Sequence, residues 1–325
     1  LGQIGSGYDI ELPFQLNRPC SSSATLTHAR ALACHPDVEL VAAVDPDPEA
    51  RNRFQRCYAT ASFADLNSCQ QAGYLACIDL AIVAVPPALQ PELVEEMLRF
   101  ITPSLLLLEK PVAINKKEAT RLRSACESKP KLKVAVNYIR RYLPAVLAWQ
   151  ERLARRDLGS LLHGRIIYGK GLLSNGSHFV NLAQSWLGAL QPDSCLQIGS
   201  GFAGFDCEAS LMLSVDDHPG ASLWVQSIGM AGLRAGELDL WFTQGRLRWE
   251  NDGKKISFWP VESCTFSDNY SPLAAEPKHF STGMEHYQHH VLDTLLHHLK
   301  TDGRASLHCH LDDGLKTLEV LDRAR

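Results

Sequence analysis

The sequence predicts an α/β protein in two domains: a doubly wound parallel sheet, then an α+β domain built on a largely antiparallel, open sheet. Two observations predict this. Up to about residue 137, short apolar runs alternate with segments of helical period, the pattern of βα units. Beyond Tyr142 the texture changes to period-two alternation of apolar and polar residues, the pattern of an antiparallel sheet with one covered face. The expected division is therefore 1–137 and 138–325.

The elements follow in order. Residues 1–7 form a glycine-rich turn, and 8–25 are a polar stretch with Pro and Ser and no period, expected as a loop insertion. Residues 26–34 have helical spacing. Residues 38–44 are a short apolar run closed by Asp45, which predicts a buried parallel strand. A polar helix is expected over 49–58. A second apolar run, 80–85, ends in Pro86-Pro87, and 91–100 is helical. The third run, 104–108, ends in Glu109-Lys110-Pro111; a Lys- and Arg-rich helix over 115–128 and a strand over 132–136 complete the series. Ligands of such sheets bind beyond the C-terminal ends of the strands, so the residues closing each run are the first to examine.

A helix over 144–156 and a strand over 161–168 open the second domain. Residues 195–260 alternate, as in Ser222-Leu223-Trp224-Val225-Gln226 and Glu237-Leu238-Asp239-Leu240-Trp241, with turns such as Asn251-Asp252-Gly253 between strands. The outward face of that sheet is left free to meet another surface, which predicts a homo-oligomer, a dimer or tetramer. Helices over 286–300 and 312–324 end the chain.

Composition narrows the function. With 325 residues, 45% hydrophobic and 21% charged, the chain can bury two ordinary cores. A net charge of −4 offers no basic field for nucleic acid or an anionic membrane. No apolar run approaches the ~20 residues of a membrane span. No secretory signal is recognised, and ten scattered cysteines without a CxxC pair indicate a reducing, cytoplasmic setting. No metal site is expected: His286, His289 and His290 share a helical face near His308-Cys309-His310, but no carboxylate-rich motif accompanies them.

Leu1-Gly2-Gln3-Ile4-Gly5 fits the last five positions of G-x-G-x-x-G, whose glycines let backbone approach a pyrophosphate at a helix N-terminus. An ordinary glycine turn explains the same residues. The missing first glycine predicts an apolar strand ending in Gly immediately upstream of Leu1. Asp45, closing the second strand of such a unit, can accept both ribose hydroxyls of NAD and would repel a 2′-phosphate. It could instead be a solvated turn residue before Pro46. Lys110 closes a buried strand, where an ammonium can donate to a ribose and to a substrate oxygen and stabilise negative charge there. The alternative is a strand-end lysine reaching water.

Taken together, Ser6-Gly7-Tyr8-Asp9 after the glycine turn, the strand ending in Asp45, Ala84-Val85-Pro86-Pro87 and Glu109-Lys110-Pro111 resemble the Gfo/Idh/MocA family of oxidoreductases. Asn137-Tyr138-Ile139-Arg140-Arg141-Tyr142-Leu143-Pro144 is similar to its crossover segment, and Gly171-Leu172-Leu173-Ser174-Asn175-Gly176-Ser177-His178 to its substrate motif, with Trp186-Leu187-Gly188 beyond it. The resemblance implies a Rossmann domain, an α+β substrate and oligomerisation domain, NAD or NADP, and a sugar, polyol or sugar-derivative substrate. It places Gly2, Gln3, Ile4, Gly5, Asp45, Val85, Pro86, Glu109, Lys110 and Asn137 at the cofactor. It makes Lys110 the active-site lysine and His178 the acid/base, with Tyr138, Arg141, Lys170, Ser174 and Asn175 at the substrate.

The chain departs from the family pattern at three places. Ser174 stands where many members carry Asp, Asn181 where a second Asp is usual, and Gln90 where His is frequent. Serine cannot place a negative charge beside His178. The implied reaction is hydride transfer between nicotinamide and a carbinol carbon, with His178 as base and Lys110 stabilising the alkoxide. Two other readings share the scaffold: a redox-assisted lyase or glycosidase, and a non-catalytic NAD-binding regulator of sugar metabolism, which the loss of Asp at 174 would favour.

Overall fold

A computed structural model describes residues 25–200, 206–230, 233, 235–263 and 271–323. Its chain divides into two compact units. The first comprises the described residues up to Ile139 together with Glu285–Asp312; the second comprises Arg140–Met284 and the described residues from Asp313 onward. The sequence predicted one passage from first domain to second, with everything after residue 137 in the second. Instead, Glu285–Asp312 belongs with the first unit. An amphipathic helix carries the same period whichever core it covers, so the sequence pattern could not assign it.

In the first unit the elements are α1 (His28–Cys34), β1 (Ala42–Val44), α2 (Pro48–Tyr58), β2 (Ala61–Phe63), α3 (Leu66–Gln71), β3 (Leu80–Val83), α4 (Gln90–Phe100), β4 (Leu105–Leu108), α5 (Lys116–Glu127), β5 (Lys133–Val136) and, after the excursion through the second unit, α8 (Tyr287–Lys300). Local chemistry sets the helix starts. Thr27 and Asp47 cap α1 and α2 by accepting the amides of Arg30 and Glu49, Pro48 occupies the first turn of α2, and Asn115 caps α5 through the amide of Glu118. Asp65 and Ser68 form a reciprocal capping box on α3. The short β2 and α3 were not anticipated from the sequence, being too brief to show a period.

The described strands form parallel sheets, β1 with β2, and β3 with β4 with β5. All four leucines of β4 are buried, as a strand covered on both faces requires. The other edge of β5 is closed by the returning chain: the amide of Val136 donates to the Cys309 carbonyl at 3.0 Å, and Ala135 bridges His310. Val291, Leu292 and Leu295 of α8 are buried, as are Val94, Met97 and Leu98 of α4.

The second unit contains α6 (Pro144–Ala154), β6 (Leu161–Tyr168), α7 (Ser177–Leu187), β7 (Leu190–Ser200), β8 (Cys207–Val215), β9 (Ser222–Ser227), β10 (Gly236–Phe242), β11 (Gly245–Glu250), β12 (Lys255–Pro260), β13 (Lys278–Ser281) and α9 (Leu311–Asp322). Its eight strands form one sheet in the order β13-β12-β11-β10-β6-β9-β8-β7. Every neighbouring pair is antiparallel except β6 and β9, which run parallel. The largely antiparallel sheet was expected, and the one parallel pair follows from the helical crossover through α7. Leu211, Leu223, Val225, Leu238, Leu240, Leu247 and Ile256 are buried in its core. Alternate positions emerge on the other face, where Leu162, Met212, Trp224 and Trp241 are exposed.

Candidate active site

The candidate residues of the first unit cluster beyond strand ends. A cavity of about 980 Å³ is lined by Ala42 and Ala43 of β1, Leu80, Ala81 and Ile82 of β3, Ala84 to Pro87 after β3, and Glu109 and Lys110 after β4. Asp45, just beyond β1, is buried, and its Oδ1 accepts the amide of Asp47 at 2.9 Å. Arg51 lies against the same turn, its Nη1 donating to the carbonyls of Asp45 at 2.7 Å and Pro46 at 2.9 Å. Gly2, Gln3, Ile4 and Gly5 lie outside the described residues.

The Glu109-Lys110-Pro111 turn is tied from two sides. Gln90, at the start of α4 and fully buried, donates from Nε2 to the carbonyls of Glu109 at 3.0 Å and Val112 at 2.9 Å. On the other side, Glu109 Oε1 accepts from Asn137 Nδ2 at 2.7 Å and meets His28 Nε2 at 2.8 Å. Glu109 Oε2 accepts the amide of Lys110 at 3.2 Å. Burial alone would raise the Glu109 carboxyl. The hydrogen bond and charge of His28, with Asn137 and Lys110, outweigh it and hold the carboxyl below its ordinary range. The Lys110–Pro111 peptide is cis.

In the second unit, β6 ends at Tyr168 and a sharp turn leads to α7. Lys170, exposed, has φ +69 and Gly171 has φ +91; the left-handed region suits the glycine and is unusual for the lysine. Leu172–Gly176 then form a π-helical turn that runs into α7, on which His178 is the second residue and is buried. π-Turns are rare and recur at functional positions. Asp206 and Glu208 reach this turn from the start of β8. Asp206 accepts the amides of Leu173, Ser174 and Cys207, each at 2.8 Å, and Glu208 accepts that of Gly171 at 2.7 Å and the Ser227 hydroxyl. Asn175 spans the opposite side, donating from Nδ2 to the carbonyls of Gly169 and Ala235 at 2.8 Å.

Comparison with known proteins adds the following. The sequence model of the oxidoreductase family with an NAD-binding Rossmann fold matches residues 21–138. That model is the one of the Gfo/Idh/MocA oxidoreductases, and its match covers just over a third of the chain. A protein of Amycolatopsis mediterranei described as a UDP-kanosamine synthase oxidoreductase subunit is 30% identical over 166 residues, 48% of this chain and 41% of that protein. The matched region thus spans about two fifths of the curated relative's length. Two solved structures share the fold over most of the chain. The WlbA dehydrogenase of Bordetella pertussis, with NADH and UDP-GlcNAcA, is 16% identical and aligns with TM-score 0.71 over 99% of this chain and 93% of its own. KijD10, a 3-ketoreductase of Actinomadura kijaniata, with NADP, is 15% identical, with TM-score 0.73 over 94% of each chain.

The matched model describes an NAD-binding Rossmann fold, and the groups present fit a nicotinamide dinucleotide. Asp45 brings a buried carboxylate to a strand end, the acceptor that ribose hydroxyls need, and Asn137 Oδ1 is buried without a hydrogen-bond partner among the described residues. Val85, Pro86, Glu109 and Lys110 line one cavity with Ala84 and Pro87. Tyr138 is buried in the first unit; Arg141, also buried, pairs with Asp313 at 3.5 Å in the second. Ser174 and Asn175 share the turn that leads to His178, with the Asn175 amide nitrogen taken up by backbone. Asn181 faces α9, donating to Thr317 Oγ1 at 2.9 Å. Among the described residues no group of three or more His, Cys, Asp or Glu side chains could hold a metal ion.

Sequence reasoning missed His28, Asp206 and Glu208 and saw Gln90 only as a departure. Asp206 and Glu208 left one signal: two acidic residues in period two leading into the apolar run of β8, where solvated charges are not expected.

Proposed function

We propose that the protein is an NAD(P)-dependent oxidoreductase that interconverts a carbinol and a carbonyl on a sugar, polyol or sugar derivative, nucleotide sugars being the first class to test. The observation that carries this reading is the Glu109-Lys110 turn: an ammonium placed beyond a fully buried strand, on a turn fastened by Gln90, Asn137 and His28, lining a cavity with the residues that follow β3. The sugar-nucleotide chemistry named for the relatives agrees with it.

The nicotinamide ring, when bound, supplies the hydride acceptor or donor. Asp45, Val85, Pro86, Glu109 and Asn137 hold the dinucleotide, with NAD preferred because the Asp45 carboxylate opposes a 2′-phosphate. Lys110 stabilises the negative charge that develops on the substrate oxygen. His178 accepts the hydroxyl proton during oxidation and returns it during reduction. Tyr138, Arg141, Lys170 and Ser174 contact the substrate.

No helix among the described residues is long and apolar enough to cross a membrane. The proposal of a reducing, cytoplasmic setting draws on the eight described cysteines, all free thiols. The exposed Trp224 and Trp241 on the outer sheet face support a homo-oligomer. Light scattering at micromolar concentration should give a multiple of the chain mass, and Trp224→Glu should lower it; a monomer before any substitution contradicts the assembly. The activity is tested by screening sugars and nucleotide sugars with NAD and NADP for growth of the reduced-nicotinamide absorbance. A panel on which no member reduces either dinucleotide would overturn the reading.

A further inference from the structure

We propose that Asp206, supported by Glu208, is a positioning residue for His178, supplying from β8 the carboxylate that Ser174 does not carry. This rests on the reading of His178 as acid/base. The two carboxylates are buried, and between them they take the amides of Gly171, Leu173 and Ser174, three of the four residues that open the turn. Those amides precede the helical hydrogen-bond ladder and have no partner within it. An anion is the strongest acceptor that can be offered to them, and a buried carboxylate is tolerated only when its oxygens are occupied in this way.

The fit is specific to an acidic side chain. Asp206 Oδ1 serves Leu173 and Cys207, while Oδ2 serves Ser174. An amide in its place keeps one oxygen and turns an NH₂ toward at least one backbone N–H, so Asp206→Asn leaves a buried donor facing a donor. Gly171 enforces the same closeness: a Cβ there would collide with Asp206 Oδ2, and φ +91 would strain any other residue. Glu208 is itself held by Ser227 on β9. The clamp therefore connects β8 and β9 to the turn that leads into the helix bearing His178. Ser174, whose amide it holds, lies four residues before that histidine.

The role is positional, because no carboxylate oxygen needs to meet substrate for it to operate. Misplacing a catalytic group by about an ångström can cost on the order of a hundredfold in rate. Asp206→Asn should thus lower kcat about ten- to a hundredfold with KM moved far less, and dinucleotide affinity, read by quenching of tryptophan fluorescence, should stay at the parent value. Placed on His178→Ala, the same substitution should cost little more, since a residue acting through His178 has nothing left to position. Equal losses in both backgrounds would overturn the proposal, as would a parent-like kcat for Asp206→Asn.

Amide hydrogen exchange of the full chain provides a readout that needs no turnover. Asp206→Asn should speed exchange at Leu173, Ser174 and His178 at least tenfold while the β10–β11 amides stay protected, and Glu208→Gln should do the same at Gly171. Unchanged exchange at these amides would refute the clamp even if the parent proves active. Lack of turnover on every sugar with accelerated exchange would instead reject the activity and leave the clamp standing.

Discussion

The turn after β4 and the turn before α7 are both fastened by buried polar side chains from distant elements, with opposite polarity. Beyond β4 the chain offers carbonyls, and Gln90 meets those of Glu109 and Val112 with a neutral N–H donor. Before α7 it offers amides, and Asp206 and Glu208 meet them with carboxylate acceptors. The turn beyond β4 presents C=O groups and the beginning of a helix leaves N–H groups over, so each clamp has the chemistry its backbone demands. The consequence is a division of labour. A neutral clamp steadies Lys110 without adding charge beside an ammonium, while an anionic clamp sets fixed negative charge at the turn that leads to His178.

Removing the neutral clamp should give the largest effect on stability. Gln90→Ala leaves the buried carbonyl of Val112 and the part-buried carbonyl of Glu109 without this donor, at roughly 1–3 kcal/mol for a buried group left unsatisfied. Thermal unfolding of the first unit should fall by several degrees, and kcat should fall as Lys110 loses its fixed turn. Parent stability in this variant would show that the carbonyls find other donors and that the clamp is dispensable.

Acid titration sharpens the contrast within the first turn. The Glu109 carboxyl lies below its ordinary value because His28, Asn137 and Lys110 together outweigh burial. A carboxyl whose folded value is depressed stabilises the fold fully above its unfolded value of about 4.5 and loses that contribution as pH falls through the folded value. Glu109→Gln should therefore flatten the acid side of the stability profile below about pH 4.5, by more than Glu95→Gln does at the exposed pair with Arg121. Coincident acid profiles for parent and Glu109→Gln would remove Glu109 from the account.

Cofactor choice should respond least. Asp45→Ser should narrow the preference for NAD over NADP, read as the ratio of kcat/KM, by about tenfold. The effect should be limited by Arg51, whose guanidinium lies on the Asp45-Pro46 backbone and would place a positive charge near a 2′-phosphate bound there. Comparable kcat/KM for the two dinucleotides in the parent would contradict the role given to Asp45.

What the sequence disclosed and what it withheld divide along the same line. Leu105–Leu108 announced a strand buried on both faces, and Glu109-Lys110-Pro111 marked its C-terminal end, because both signals are local. The clamps were not legible, because each bridges remote positions: Gln90 is 19 residues from Glu109, Asp206 is 33 from Leu173, and His28 is 81 from Glu109. At Ser174 local reading found a missing carboxylate, whereas the fold brings Asp206 to that residue's own amide at 2.8 Å. Glu285–Asp312 misled for a related reason, since its helical period names a face and not the core that face covers.

The most direct test of the central claim is steady-state reduction of NAD by the best sugar of the screen, compared for the parent, Lys110→Ala and His178→Ala at equal fold stability. The account predicts that each substitution lowers kcat on the order of a hundredfold or more, with dinucleotide affinity retained in His178→Ala. If His178→Ala turns over at nearly the parent rate, the proton leaves by another group and the assignment of the α7 turn to catalysis is wrong.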